Sequence, residues 1–155
     1  MLKAIIIDDE EDARRTLRAF IKQYCPQVDI IEEGTGVQDG YRKILSHQPD
    51  LVFLDIQMDD GTGFDLLEKI RTPKFNLIFC TAFDEYAIKA FKFSAIDYLL
   101  KPIDPDELIE AVSKVKKGDE STQPRIESLI ENRSQKEMVR ITLSSQEGLT
   151  FVNLK

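Results

Sequence analysis

Four short apolar runs in this chain each end at acidic, hydroxyl or amino side chains, and this arrangement strongly constrains the fold. The runs are residues 4–7, 51–54, 77–80 and 98–100, and they are followed by Asp8 and Asp9, by Asp55, by Thr81, and by Lys101 with Pro102. In an open sheet of parallel strands the carboxyl ends of the strands share one edge, and ligands bind there. The pattern therefore predicts that three carboxylates, one hydroxyl and one ammonium group converge in one crevice.

This set of side chains favours one kind of chemistry. Carboxylate oxygens suit a divalent cation such as Mg²⁺, and an ammonium group suits a phosphate. Hydride transfer would call for a glycine-rich dinucleotide turn, and proteolysis for a nucleophile paired with a base. A divalent cation and a phosphoryl group are therefore the expected ligands.

Segments with helical periodicity separate the strand-like runs. Apolar residues recur at intervals of three and four in two of these segments, at Ala13, Leu17, Phe20, Ile21 and Tyr24 and then at Val37, Tyr41, Ile44 and Leu45. Further helices are predicted just after Gly63, from Asp84 as a candidate N-cap, and from Asp104 with Pro105 at the first helical position.

With a fifth strand at residues 28–31, five strands alternate with five helices, which predicts an α/β fold. Such alternation implies a doubly wound parallel sheet with helices on both faces. Three of the runs are apolar without alternation, as in strands that are covered on both faces. The strand at residues 28–31 is interrupted by Asp29 and leads into no candidate site residue, so we place it at an edge of the sheet.

Composition excludes several classes of protein. The net charge of -7 gives no basic excess for strong binding to nucleic acid. No apolar run approaches the roughly 20 residues of a membrane span, so we expect a cytoplasmic protein with no membrane contact. Cys25 and Cys80 lack the spacing of a metal site and are expected to be reduced thiols. His47, the only histidine, is expected in a surface loop.

The character of the sequence changes after residue 118. Residues 119–137 read as a polar linker with a weak helical signal at Ile126, Leu129 and Ile130. Residues 138–155 have a strand, turn and strand pattern. Two strands alone are marginally stable in water, so we interpret this segment as the first strands of a truncated second domain.

Residues 1–118 resemble the receiver domain of bacterial two-component response regulators. The resemblance rests on the acidic pair Asp8-Asp9, on Asp55 in Leu-Asp-Ile-Gln-Met-Asp-Asp-Gly-Thr-Gly, on Thr81-Ala82 and on Lys101-Pro102. The stretches at residues 81–91 and 97–102 are similar to the LytR/AlgR-type subfamily, whose members join the receiver to a β-rich DNA-binding domain. The implied fold is flavodoxin-like, with strand order 2-1-3-4-5, and residues 138–155 would begin the DNA-binding domain.

The resemblance also implies a role for each candidate site residue. Asp55 would be the phosphoacceptor, and a sensor histidine kinase would be the phosphoryl donor. Mg²⁺ would be held by Asp8, Asp9, Asp55 and the backbone carbonyl of Gln57.

The phosphoryl group would be stabilised by Thr81, by the backbone of Ala82 and by Lys101, whose bond to Pro102 is usually cis in this family. Thr81 and Tyr98 would form a switch that controls homodimerisation. DNA would be bound only through the complete output domain.

Two other functions remain open at this point. A magnesium-dependent phosphatase of the haloacid-dehalogenase type also uses a strand-end aspartate as its nucleophile. Those enzymes place an acid two positions later, where this chain has Gln57, and an amide cannot supply that proton. A pseudo-receiver that only binds a partner is the other alternative, and it is less favoured because every expected site residue is present.

Overall fold

A five-stranded parallel sheet forms the centre of the protein. The computed structural model describes residues 1–116 of the chain. The strands of the sheet are β1 (Leu2–Ile7), β2 (Val28–Gly34), β3 (Leu51–Leu54), β4 (Asn76–Thr81) and β5 (Asp97–Leu100). Their order is β2-β1-β3-β4-β5, which confirms the doubly wound fold and the edge position of β2.

Five helices connect the strands, as the alternation predicts. They are α1 (Glu11–Tyr24), α2 (Val37–His47), α3 (Gly63–Ile70), α4 (Ala87–Phe91) and α5 (Pro105–Ser113). No helix of this described part is both long and apolar enough to cross a membrane.

Two apolar clusters, one on each face of the sheet, hold these layers together. Alternate residues of β1 separate between them: Ile5 and Ile7 pack with α2 and α3, whereas Ala4 and Ile6 pack with α1 and α5. The central strands are therefore buried on both sides, which explains their unbroken apolar sequences. Cys25 and Cys80 are buried free thiols, as expected.

A short hairpin follows β3 and sets the start of α3. Gln57–Met58 pairs antiparallel with Gly61–Thr62, and the side chain of Thr62 caps α3 by accepting from the backbone N–H of Asp65. Gly63 packs so closely that an added Cβ would lie 2.5 Å from the carbonyl oxygen of Asp55. This turn therefore requires glycine, and it fixes the backbone next to the predicted phosphoacceptor.

Two local predictions were wrong. The fourth helix begins at Ala87, after an N-cap at Tyr86, so Asp84 does not cap it. His47 is the last residue of α2 rather than a loop residue, because the helix continues until Gln48 adopts a left-handed conformation. The predicted linker and second-domain strands, residues 119–155, lie outside the described residues.

Candidate functional site

Three carboxylates meet at the carboxyl edge of the sheet. Asp8 and Asp9 follow β1, Asp55 follows β3, and each offers an oxygen within 4.8 Å of those of the other two. Asp8 and Asp55 are buried, whereas Asp9 is partly exposed. The strand order brings them together because β1 and β3 are neighbours in the sheet.

Lys101 reaches this acidic cluster from the end of β5. Its Nζ lies 2.6 Å from Asp8 Oδ2 and 3.2 Å from Asp55 Oδ2. Burial alone would lower the pKa of Lys101, but the hydrogen bond to Asp8 and the charge of Asp55 outweigh it, so its pKa is raised. Lys101 is therefore a cation at the cluster, and its peptide bond to Pro102 is cis.

The pKa of the Asp55 carboxyl is raised, because the effects that disfavour its charged form outweigh those that favour it. Burial raises the pKa of Asp55, and the charge of Asp8 raises it further. The charge of Lys101, the backbone N–H of Ile56 and the hydroxyl of Thr81 act in the opposite direction. The side chain of Asp55 is 8% exposed to solvent, so reagents must approach it from the open edge of the sheet.

Thr81 is the last residue of β4, and Tyr98 lies in the neighbouring strand β5, opposite Phe79. Thr81 is fully buried beside Asp55, and its hydroxyl accepts weakly from the backbone N–H of Phe83 at 3.4 Å. The ring of Tyr98 packs on Phe79, and its hydroxyl donates to the carbonyl oxygen of Phe83. Tyr98 therefore points inward, beneath the loop that follows Thr81, and burial raises its pKa.

Gln57 and Ala82 flank this centre at exposed positions. The side-chain amide of Gln57 donates to the hydroxyl of Tyr86 at 2.7 Å, which links the loop that follows Asp55 to the start of α4. The roles of the Gln57 carbonyl and the Ala82 backbone remain predictions.

Several supporting contacts were not anticipated from the sequence. Asp9 Oδ2 accepts from the backbone N–H of Asp59, at 2.9 Å. Asp60 caps α2 by accepting from the N–H groups of Val37 and Gln38. A third contact joins the Arg14 guanidinium to the Asp8 carbonyl oxygen. Each joins residues on different elements, which a reading by local pattern does not reveal.

The donor set fits magnesium. Mg²⁺ prefers oxygen ligands and usually takes one or two carboxylates together with water. Three aspartates offer such oxygens here, and the partly exposed Asp9 leaves the cluster accessible from solvent. The fit therefore rests on ligand chemistry and on the closeness of the three carboxylates.

Comparison with known proteins places this arrangement in a family. Residues 4–113 match the family model described as the response regulator receiver domain. This chain belongs to that family. It is a receiver domain of two-component signalling, and its acidic cluster lies at the strand ends that were predicted to carry the site.

The curated relatives of this receiver include sensory transduction proteins. The chain is 34% identical over 158 residues to the sensory transduction protein LytT of Bacillus anthracis, with all of the chain and 63% of that protein covered. It is 41% identical over 117 residues to LytR of Staphylococcus haemolyticus, covering 74% of the chain and 45% of that protein. The resemblance to the LytR type is thus confirmed. The chain spans less than two thirds of the length of these relatives.

A solved structure shows the same fold. The response regulator TrrA of Thermotoga maritima, in complex with Mg²⁺ and BeF, matches with a TM-score of 0.66 and 27% identity. The match covers 75% of this chain and all of that one.

Proposed function

We propose that this receiver accepts a phosphoryl group on Asp55 from the phosphohistidine of a sensor kinase. The observation that carries the proposal is the contact of Lys101 with both Asp8 and Asp55 inside a cluster of three carboxylates. This arrangement places a cation and metal-ligating oxygens around one nearly buried carboxylate. A phosphoryl group on Asp55 would lie among these charges.

The transfer exchanges one bond for another. An oxygen of the Asp55 carboxylate attacks phosphorus, the new O–P bond forms an acyl phosphate, and the P–N bond to the donor imidazole breaks. Asp8, Asp9, Asp55 and the carbonyl of Gln57 would hold Mg²⁺, whose positive charge would offset repulsion between the carboxylate and the phosphoryl group. Lys101 neutralises a phosphoryl oxygen, and Thr81 and the Ala82 backbone donate to the others.

Phosphorylation is proposed to signal through Thr81 and Tyr98. A phosphoryl group adds about -1.5 to -2 charges and three strong acceptor oxygens. Thr81 is buried next to Asp55, so a small movement of its hydroxyl would satisfy one of these oxygens. Tyr98 already lies inward under the same loop. A movement of Thr81 would therefore shift Tyr98 and change the exposed surface of β5.

The output is proposed to be a regulated homodimer. Leu100 on the edge strand β5 and Ile109 on α5 are each 41% exposed, and they offer apolar surface near the switch. DNA would be bound by a complete output domain that residues 138–155 begin, and the setting would be the cytoplasm. These proposals about the whole protein rest on the resemblance to the LytR type.

A switch is favoured over a phosphatase. The position two residues after Asp55 is Gln57, whose side-chain amide donates a hydrogen bond to Tyr86 but cannot act as the general acid that protonates a leaving group. We therefore expect an acyl phosphate that is hydrolysed slowly.

The test is the intact mass of the chain after exposure to acetyl phosphate. We expect the mass of one phosphoryl group to be added with Mg²⁺ and little to be added without it. Asp55→Asn should abolish the adduct, whereas the matched control Asp12→Asn, at an acid whose side chain is 93% exposed on α1, should keep it. A full-yield adduct on the Asp55→Asn variant would refute the proposal.

A further inference from the structure

Arg14 holds the peptide group that joins the two acidic residues after β1. Its Nη1 donates to the carbonyl oxygen of Asp8 at 2.7 Å, and its Nε donates to Glu33 Oε1 at 3.1 Å. The Arg14 side chain is only 13% exposed. This guanidinium therefore links the turn after β1 to the end of β2.

Glu33 is itself held firmly, so it anchors Arg14. Its carboxylate also accepts from Arg18, and its carbonyl oxygen accepts from Lys43 Nζ at 2.7 Å. An arginine that forms two directed bonds is more strictly oriented than a lysine would be. Arg14 thus fixes the Asp8 carbonyl relative to the end of β2.

The orientation of that carbonyl matters for both carboxylates. The Asp8 carbonyl belongs to the planar peptide group that also contains the N–H of Asp9, so fixing one end fixes the plane. The other backbone group of Asp8, its N–H, donates to the carbonyl of Gly34 on β2 at 3.0 Å. Because the carbonyl and the N–H of Asp8 are both hydrogen-bonded, the directions in which the Asp8 and Asp9 side chains project from the backbone are fixed.

We propose that Arg14 is a positioning residue for magnesium: it orients the Asp8-Asp9 peptide group so that both carboxylates face the cluster before the ion arrives. This inference rests on the proposed function, because it assumes that the cluster binds Mg²⁺. Within residues 1–116, Arg14 contacts the backbone of Asp8 but none of the three carboxylates of the acidic cluster. Its effect comes through geometry.

Removing the Arg14 guanidinium should change the Mg²⁺ affinity in opposite directions, depending on whether its charge or its positioning role matters more. A cation near a site for a divalent cation opposes binding, so losing a positive charge should by itself tighten Mg²⁺ binding. Losing a group that orients the ligands should weaken it. Arg15 is the matched control: it is the next residue and has the same charge, but it is 60% exposed and pairs with Glu11 and Asp12 on the surface of α1.

The experiment is a calorimetric titration of the full chain with MgCl₂ at fixed ionic strength. We expect Arg14→Ala to raise the Mg²⁺ dissociation constant by about tenfold, the usual cost of losing a supporting contact at a metal site. Arg15→Ala should leave it unchanged or slightly lower. Arg14→Lys keeps the charge but loses the paired geometry, and we expect an intermediate value.

Circular dichroism and the melting temperature without metal establish that each variant is folded. Where Arg14→Ala does not fold, Arg14→Lys decides the outcome. Unchanged or tighter Mg²⁺ binding by the folded Arg14 variants would overturn the positioning role and leave the proposed function standing. Absence of Mg²⁺ binding by the unsubstituted chain would overturn both.

Discussion

Asp55 is a carboxylate that the fold buries beside a second carboxylate, Asp8. Its raised pKa means that the folded state binds its proton more tightly than the unfolded state does. The free energy of unfolding therefore falls as the pH rises from the pKa of an unfolded aspartate, about 3.9, through the higher pKa of Asp55 in the folded protein. Without a metal ion, the charged Asp55 side chain lowers the stability of the protein at neutral pH.

We expect Asp55→Asn to stabilise the metal-free protein at pH 7, because it removes a buried charge next to Asp8. The gain should be on the order of 1 kcal/mol, and it should shrink as the pH is lowered and Asp55 becomes protonated. Urea unfolding of both proteins between pH 4 and 7 measures this difference. A variant less stable than the parent at pH 7 would contradict the account.

The pKa of Asp60 is shifted in the opposite direction from that of Asp55. The N–H groups of Val37 and Gln38 lower the pKa of its carboxylate, so its contribution to stability is present above the unfolded pKa and is lost as the pH falls through the folded value. We expect Asp60→Ala to cost about 1 kcal/mol at pH 7, the usual effect of losing a helix N-cap. Thermal unfolding is the measurement.

The matched control for Asp60 is Asp59→Ala. Asp59 is the preceding exposed acid, and its contact with Asp9 uses only its backbone N–H. Equal losses of stability in the two variants would show that charge in this loop, and not the cap of α2, is what matters.

At the scale of elements, α4 depends on contacts from outside itself. It has five residues, and no side chain caps its start at Tyr86. Tyr86 is instead held by Gln57, by an edge contact with Phe83 and by packing on Phe64. The start of α4 is thus tied directly to the loop that follows Asp55.

We expect Tyr86→Phe to loosen α4 while leaving the sheet intact, because it removes the bond from Gln57 and keeps the ring. Hydrogen exchange of residues 87–91 should accelerate up to about tenfold, corresponding to one hydrogen bond. Tyr24→Phe, at a tyrosine 38% exposed on α1, is the control. Unchanged exchange in α4 would show that Gln57 does not help to hold it.

The sequence predicted the elements whose signals are local. The strands β1, β3 and β4 were predicted because their apolar runs are continuous. Asp8, Asp55, Thr81 and Lys101 were singled out because each ends a strand or directly follows one. The start of α4 was misplaced because Asp84 has the chemistry of an N-cap but not its position. The Arg14 contact with Asp8 and the Gln57 contact with Tyr86 depend on how whole elements pack, so local pattern could not reveal them.

At the scale of the whole molecule, Tyr98 is the proposed link between the acidic crevice and the exposed surface of the edge strand β5. Tyr98 lies between them, with its hydroxyl on the Phe83 carbonyl and its strand at the edge of the sheet. We expect Tyr98→Ala to be phosphorylated normally but to self-associate at least about fivefold more weakly once phosphorylated, a typical coupling between two sites. Analytical ultracentrifugation with and without acetyl phosphate tests this. Unaltered self-association would confine Tyr98 to packing.

The most direct test of the central claim is the position of the phosphoryl group on the chain. After labelling with acetyl phosphate and Mg²⁺, borohydride reduction converts an aspartyl phosphate into homoserine, and fragmentation mass spectrometry locates that residue. We predict homoserine at position 55 and at no other aspartate. Homoserine at position 8 or 9, with Asp55 unmodified, would contradict the account.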